Sequence, residues 1–368
     1  MLEKYGHGGD LLTAAEQYGI PVSGFLDFSS NMNPFGPPSV VGEIATNQWK
    51  QLARYPDPAV RELRKALADR YGIEPESILV GNGAAELIDL AIRLIQPTAT
   101  ALARPSFTEY EEAAAKTNSK LLGIPLSHDN DFTPQADQLS QAAAQADLLV
   151  LGHPNNPTGQ LLDHTLMRSL AEDGVELLLD EAFMDFVPDG DEVHSLLKLA
   201  ARTPNLHVLR SMTKFYAIPG IRLGFIVSHP DWIRRLRERQ VPWSVNSFAQ
   251  WIGAAVLREA EFERKTREWL AEENPWLTGQ LTALGMRVCP SSVNYLLFAL
   301  PQDLSVKQLQ RLLGRRGILI RDASLFEGLN ESYARVAVRR REENERLVRE
   351  LGDAVRQWEA GGEGGIDE

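Results

Sequence analysis

The sequence has one cysteine, Cys289, so no disulfide can form within the chain. No apolar run approaches the roughly 20 residues that a helix needs to cross a bilayer, and the N-terminus does not resemble a signal peptide. We therefore expect a cytoplasmic protein that does not insert into membranes. The sequence also lacks an internal repeat and any His/Cys cluster with the spacing of a metal site.

The chain has fewer positively charged than negatively charged residues. The chain has 38 Lys and Arg against 50 Asp and Glu, a formal net charge of −12. An acidic surface of this kind argues against nucleic acid and anionic membranes as partners, and an anionic substrate would need a local cationic pocket. The length of 368 residues is sufficient for one large α/β domain and a smaller second domain.

One stretch combines several groups that can bind an anion. Residues 211–224 read SMTKFYAIPGIRLG and lie between two apolar runs, 206–209 and 224–227, which we interpret as strands. Ser211, Thr213, Lys214 and Arg222 could converge on one anion. An amine near a second cation loses part of its preference for the proton, as a reactive lysine must. The alternative is a solvated loop lysine.

Apolar runs recur along the first 230 residues, with helical patterns or loops between most of them. They lie at 78–80, 100–103, 121–124, 148–151, 176–179, 206–209 and 224–227. This alternation predicts an α/β fold with a mostly parallel sheet wrapped by helices, and ligands bind such sheets at the carboxyl ends of the strands. Four further strands are expected at 286–288, 295–298, 318–320 and 334–338, in a smaller α/β unit.

Polar and aromatic groups follow several of these strands. The turn from Gly81 to Gly83 opens an apolar helix at Ala84, where free N–H groups could face a phosphate. Phe107 offers an aromatic ring, Asn156 an amide, and Asp180 a carboxylate directly after a buried strand. Each of these features has a structural alternative. The glycines could simply form a tight turn, Phe107 could belong to the core, Asn156 could be an ordinary loop residue, and Asp180 could cap a helix.

Candidate substrate contacts come from the two ends of the chain. His7 and Gly8 lie in a glycine-flanked segment where backbone can approach a ligand, and Asn31 lies in a turn that could equally be a connector. Arg321 follows a predicted strand and Arg335 lies within one. A guanidinium there needs an anion or a structural carboxylate partner.

The motifs GNGAAE, PNNPTG, DEAF, SMTKFYAIPGIRLG and RVAV occur in the order and approximate spacing of the fold-type I aminotransferase family. This resemblance implies pyridoxal 5′-phosphate as cofactor, a seven-stranded large domain (39–265) and a small domain (266–360) packed with segment 1–38. The composition of the last residues, 361–368, separately predicts a disordered tail. Lys214 would be the Schiff-base lysine and Asp180 the partner of the ring nitrogen. Asn156 would bind the ring oxygen and Phe107 would stack on the ring. The phosphate would be held by Gly83, Ala84, Ser211, Thr213 and Arg222. Tyr55 would reach the phosphate in a neighbouring subunit, which implies a homodimer.

Three features resemble the threonine-phosphate decarboxylases of cobalamin biosynthesis more than the histidinol-phosphate aminotransferases. They are the N-terminal His7-Gly8-Gly9 with the later segment DFSSNMNP at 27–34, Phe183 in place of the usual tyrosine, and the PWSVN segment at 242–246, which contains a tryptophan that the aminotransferases tend to lack. The substrate would then be gripped by His7, Gly8, Asn31, Asn156, Arg321 and Arg335. The alternatives are an aminotransferase that uses 2-oxoglutarate and a catalytically inactive binding protein of the same fold.

Overall fold

The computed structural model describes residues 8–301 and 304–359. His7 and the predicted tail, 361–368, lie outside the described residues. The strands are β1 Leu26–Asp27, β2 Ile78–Gly81, β3 Ala99–Arg104, β4 Lys120–Pro125, β5 Leu148–Gly152, β6 Leu177–Asp180, β7 Leu206–Ser211, β8 Gly224–Val227, β9 Arg287–Val288, β10 Tyr295–Ala299, β11 Ile318–Leu319, β12 Arg321–Asp322 and β13 Tyr333–Ala337. The helices are α1 Leu11–Tyr18, α2 Ser39–Gln48, α3 Arg61–Tyr71, α4 Ala84–Ile95, α5 Glu109–Ala115, α6 Ala136–Ala143, α7 His164–Glu172, α8 Leu197–Ala200, α9 Pro230–Arg237, α10 Ser247–Val256, α11 Ala260–Ala283, α12 Val306–Gly314 and α13 Arg341–Glu359.

A seven-stranded sheet forms the centre of the larger part of the molecule, with strand order β2-β8-β7-β6-β5-β3-β4. Neighbouring strands are parallel except at β8, which runs antiparallel to both β2 and β7. This confirms the predicted α/β class and the mostly parallel seven-stranded sheet. The carboxyl ends of β5, β6 and β7 therefore meet at one edge of the sheet.

Apolar side chains cover both faces of this sheet. Along β5, Leu149 and Leu151 join one core cluster while Leu148 and Val150 join the other. Since successive side chains of a strand point to opposite faces, a continuous apolar run is what a strand buried on both sides requires. The core thus holds the strands rigidly, and only their ends are free to carry polar groups.

The C-terminal part contains a four-stranded antiparallel sheet, β12-β13-β10-β9, and a short parallel pair, β1-β11. The strand predicted at 318–320 is present as β11, and the chain then changes sheets at Ile320 to form β12, which was not predicted. β11 pairs with β1, whereas β12 pairs with β13 and places Arg321 opposite Arg335. This register places the two arginine side chains on the same face of the sheet.

The helical region predicted around 250–284 consists of two helices, α10 and α11, and α11 continues through the predicted domain limit at 265 and 266. The domain limits themselves stay a prediction. Within the described residues, no helix is both long enough and apolar enough to cross a membrane.

Candidate active site

A cavity of about 300 Å³ lies at the carboxyl edge of the seven-stranded sheet and extends to the C-terminal sheet. Most of the predicted site residues line it. They are Gly8, Asn31, Ala84, Phe107, Asn156, Asp180, Ser211, Thr213, Lys214, Arg222, Arg321 and Arg335. The fold thus brings together residues from the first and last 50 positions of the chain with the motifs between them.

Two predicted residues take other positions. Gly83 lies beside the cavity, against Arg222, and Tyr55 lies on the surface with 82% of its area exposed. His7 is outside the described residues, and its role in binding substrate stays a prediction.

Lys214 follows the end of β7 and points into the cavity. Its Nζ donates a hydrogen bond to Ser211 Oγ at 3.2 Å and lies 5.4 Å from the centre of the Phe183 ring. Burial lowers the pKa of Lys214, and the nearby cations Arg222 and Arg335 lower it further, whereas the Asp180 carboxylate opposes them. The environment therefore favours an amine that can release its proton and act as a nucleophile.

Asp180 ends β6 and is buried beside the cavity. Its carboxylate accepts hydrogen bonds from Tyr110 Oη at 2.8 Å and from the Ala182 backbone N–H at 2.9 Å. Burial raises the pKa of Asp180, while Lys214, Tyr110 and Ala182 favour the ionised form. A buried carboxylate of this kind is stabilised by a cation in the cavity.

An anion seat is formed where β7, the turn after β2 and the N-terminus of α4 meet. Ser211 Oγ and Thr213 Oγ1 lie 2.8 Å apart, and Arg222 lines the same cavity. Gly83 has φ +89°, and a Cβ there would lie 2.7 Å from the Arg222 Nη2 atom. The positive φ favours glycine at this position, and a side chain here would require the Arg222 guanidinium to move.

Two buried arginines form the opposite end of the cavity. Arg335 donates hydrogen bonds to Asn156 Oδ1 and, at 2.9 Å, to the Ser29 carbonyl. The Arg321 guanidinium lies over the Phe326 ring at 5.4 Å. Since the register of β12 and β13 places the two arginines opposite each other, two positive charges share a desolvated region, which an anionic ligand would stabilise.

The segment 28–33 crosses the cavity, and we call it the N-terminal strap. Ser29, Asn31 and Met32 line the cavity. The Asn31 carbonyl accepts a hydrogen bond from Asn294 at 3.0 Å, while Asn31 Oδ1 is buried and makes no hydrogen bond within the described residues. That oxygen can therefore accept a hydrogen bond from a donor group of a ligand without breaking an existing contact.

Several contributors were not identified from the sequence as site residues. Tyr110 supports Asp180 and Phe326 lies beneath Arg321. The sequence does contain a signal for Tyr110, because this residue lies one helical turn after Phe107, which was predicted to contact the ligand. No sequence signal marks Phe326, because its position depends on how β12 and β13 pair.

A second group missed from the sequence is a buried ion cluster on the other side of the strand ends. Arg210 is fully buried and donates hydrogen bonds to Glu181 at 2.9 Å, Asp185 at 3.0 Å and Asp191 at 2.6 Å. Burial raises the pKa of Asp185 to about 6, although Arg210 opposes the shift. Glu181 and Arg210 immediately adjoin Asp180 and Ser211, so the cluster fixes the two strand ends from behind.

The residues present fit pyridoxal phosphate, the cofactor that the motifs implied. The Ser211 and Thr213 hydroxyls and the Arg222 guanidinium line the cavity beside the N-terminus of α4 and suit a phosphate, and the buried Asp180 carboxylate is suited to a protonated ring nitrogen. Lys214 has an amine of lowered pKa near this carboxylate. One cavity thus offers a phosphate seat, a ring partner and a nucleophilic amine.

Comparison with known proteins agrees with this arrangement. The sequence model of the family "Aminotransferase class I and II" matches residues 23–351. The chain is 36% identical to the threonine-phosphate decarboxylase of Salmonella typhimurium over 351 residues, covering 94% of this chain and 95% of that protein. It is 33% identical to the histidinol-phosphate aminotransferase of Oleidesulfovibrio alaskensis over 368 residues, covering 96% and 92%.

The same fold is found among solved structures. The histidinol-phosphate aminotransferase of Clostridium acetobutylicum superposes with a TM-score of 0.84 at 28% identity, covering 90% of this chain and 99% of that one. Relatives of two different activities therefore match nearly the whole chain. The chain belongs to the class I and II aminotransferase family of pyridoxal-phosphate-dependent enzymes.

Proposed function

We propose that this enzyme decarboxylates L-threonine O-3-phosphate to (R)-1-amino-2-propanol O-2-phosphate and carbon dioxide, a step of cobalamin biosynthesis. The observation that carries the proposal is the buried pair Arg321 and Arg335, which the β12–β13 register holds together at the end of the cavity. The substrate has a phosphate and a carboxylate on a four-carbon chain. Two adjacent guanidinium groups, with Asn31 beside them, suit these two anionic groups.

Two further observations support a decarboxylase. Phe183 lies under Lys214 and contacts the Tyr295 ring edge to face, with ring centres 4.9 Å apart. The histidinol-phosphate aminotransferases that the sequence resembles usually have a tyrosine at this position, whose hydroxyl would donate a hydrogen bond to the cofactor ring oxygen. The similarity to a threonine-phosphate decarboxylase over nearly the full chain favours the same activity.

The proposed roles of the cofactor-binding residues correspond to their positions around the cavity. Asp180, supported by Tyr110, would keep the ring nitrogen protonated, Phe107 would contact the ring face, and Asn156 would donate to the ring oxygen. The phosphate would be held by Gly83, Ala84, Ser211, Thr213 and Arg222. Pyridoxal phosphate, when bound, supplies a ring that accepts the electron pair left at Cα after a bond there breaks.

The choice of bond would depend on how the substrate is held. The bond that breaks is the one perpendicular to the ring, because only that orbital overlaps the ring electrons. Arg321 and Arg335, together with His7, Gly8 and Asn31, would grip the phosphate and carboxylate so that the carboxylate stands out of the ring plane. Such positioning can contribute several kcal/mol. After carbon dioxide has left, Lys214 would give a proton to Cα, where the electron pair remains.

Incubation with L-threonine O-3-phosphate tests the proposal against its nearest alternative. We expect one carbon dioxide per substrate consumed, at a rate that does not depend on 2-oxoglutarate. Histidinol-phosphate aminotransferase is the second candidate, favoured by the 33% identical relative. A rate that requires 2-oxoglutarate, with glutamate as product and histidinol phosphate as the better substrate, would establish that candidate instead. A protein without activity on either substrate and without a borohydride-sensitive visible absorbance would be a binding protein.

We also propose that the enzyme is a homodimer and that its large and small domains divide near residues 38 and 265. Tyr55 and Trp243 form an exposed aromatic pair with ring centres 5.0 Å apart, and Trp49, Leu52 and Val241 are exposed nearby in sequence. Apolar surface of this kind is typical of protein interfaces. Tyr55 would then reach the cofactor phosphate of the other subunit.

Sedimentation and cofactor titration test the dimer together. We expect a dimer at micromolar concentration, and we expect Trp243→Glu to dissociate it because a charge would be buried in the interface. Tyr55→Phe should remain dimeric but bind pyridoxal phosphate about 10-fold more weakly, because it loses one hydrogen bond to the charged phosphate. A monomeric wild-type protein, or unchanged cofactor affinity in Tyr55→Phe, would contradict the proposal.

A further inference from the structure

Asn33 connects the N-terminal strap to the loop that carries Lys214. Its backbone N–H donates to the Lys214 carbonyl at 3.1 Å. Its side-chain Nδ2 donates to the Phe215 carbonyl and to Thr266 Oγ1, both at 2.8 Å. Asn33 is only 2% exposed. The two consecutive carbonyls at positions 214 and 215 are therefore held by one buried residue that lies 182 positions from Phe215 in sequence.

Every polar group of Asn33 is used in this arrangement. In addition to its three donated bonds, Oδ1 accepts a hydrogen bond from Phe35 N–H at 3.1 Å, and the carbonyl accepts one from Gly36 N–H at 3.3 Å. A buried amide with all of these contacts has one orientation, since rotating it would leave donors unsatisfied. Asn33 is therefore a rigid bridge and not a solvated turn residue.

The other end of the strap is attached to the arginine end of the cavity. The Ser29 carbonyl accepts from Arg335 at 2.9 Å, and the Asn31 carbonyl accepts from Asn294 at 3.0 Å. Between these contacts and Asn33, the residues Ser29, Asn31 and Met32 line the cavity. The strap thus spans the distance between the group that would bind substrate anions and the backbone of the reactive lysine.

We infer that Asn33 is a positioning residue that fixes the backbone of Lys214 and couples the lysine to the strap that contacts the substrate. This inference rests on the proposed role of Lys214. A long side chain amplifies small backbone movements, and a displacement of about 1 Å at a reacting atom can cost about 100-fold in rate. Since Asn33 touches neither the cavity nor a reacting atom, its effect would be exerted through Lys214.

Thr266 provides a matched control. It lies in α11, is fully buried, and shares the Asn33 amide with the Phe215 carbonyl. Thr266→Val removes one acceptor of that amide at nearly constant volume but leaves the contact with the lysine loop. Asn33→Leu keeps the number of side-chain heavy atoms but removes all three side-chain hydrogen bonds, including the one to the Phe215 carbonyl. Thr266→Val loses one of these buried hydrogen bonds and Asn33→Leu loses three, so both should lose thermal stability, Asn33→Leu by more.

The readout that separates them is the pH titration of the visible absorbance of the cofactor-loaded enzyme without substrate. We expect Thr266→Val to keep the wild-type midpoint and a kcat within about 2-fold. Asn33→Leu should raise the midpoint by about half a unit or more, because the lysine nitrogen, joined to the cofactor, would move away from the arginines of the cavity that disfavour its protonated form. Its kcat should fall about 10- to 100-fold, with a smaller change in KM.

An identical midpoint and kcat in the two variants would overturn the inference. If Asn33→Leu does not fold, hydrogen exchange on the wild-type holoenzyme decides the question. Removing the cofactor should speed exchange of the Asn33 and Phe35 amides, and unchanged exchange would equally overturn the inference. A Lys214→Ala variant distinguishes this outcome from failure of the proposed function. If it still forms a borohydride-sensitive bond to the cofactor, the role of Lys214 itself is wrong.

Discussion

Lys214→Ala is expected to lower the decarboxylation rate by more than about 10⁵-fold, the scale of a correctly placed reacting group. The variant loses the amine that would bind the cofactor covalently and return a proton to Cα. It should still bind pyridoxal phosphate through the anion seat of Ser211, Thr213 and Arg222. After borohydride treatment, the cofactor should still separate from the denatured chain on gel filtration. The mass of the chain should show no covalently attached cofactor.

Lys116→Ala serves as the control for this experiment. Lys116 is a surface lysine paired with Asp89 at 3.2 Å, and its loss should leave both activity and the borohydride adduct unchanged. A Lys214→Ala variant that retains the adduct would mean that another lysine carries the cofactor.

Asp180→Asn is expected to lower kcat/KM by about 10³-fold, comparable to removing one strong electrostatic group from an active site. An amide cannot hold a proton on the ring nitrogen as a carboxylate can, although its oxygen can still accept from Tyr110 and Ala182. The fold should therefore be kept.

The stability of the cofactor-free variant follows from the direction of the pKa shift. Burial raises the pKa of Asp180 above its ordinary value of 3.8, so ionising the carboxylate costs stability. That cost is absent below the ordinary pKa and grows as pH rises through the folded-state pKa. Cofactor-free Asp180→Asn should thus be at least as stable as wild type at pH 8, as measured by thermal unfolding.

The neighbouring position provides a contrast. Glu181→Gln removes one partner of the fully buried Arg210 ion pair and should reduce the free energy of unfolding by about 3 kcal/mol. If Asp180→Asn were instead the strongly destabilised variant, with activity lost only through unfolding, Asp180 would be a structural residue.

Much of the site could be predicted because its residues lie at strand ends. A buried apolar run followed by polar residues indicates where a parallel sheet presents ligands. This reasoning located Lys214 and Asp180 and the turn at Gly83. Such groups are fixed by local sequence, since the strand and the polar residue are adjacent in the chain.

Other parts depend on contacts that no local pattern contains. The pairing of Arg321 with Arg335 requires the register of β12 against β13, and the sequence predicted β11 but not β12. The role of Asn33 depends on a contact with the Phe215 carbonyl, 182 residues away. Asn33 was interpreted as turn chemistry because Asn before Pro is typical of turns, and that local pattern does not reveal the partner.

The most direct test of the central claim follows the atoms at Cα when L-threonine O-3-phosphate reacts in D₂O. The claim is that the bond to the carboxylate breaks and that Lys214 supplies the replacing proton. We predict a product with one deuterium on the carbon that carried the carboxylate, one labelled carbon dioxide per carboxyl-labelled substrate, and no need for 2-oxoglutarate. Retention of the labelled carboxyl group in a keto acid product would contradict the claim and identify the enzyme as a transaminase.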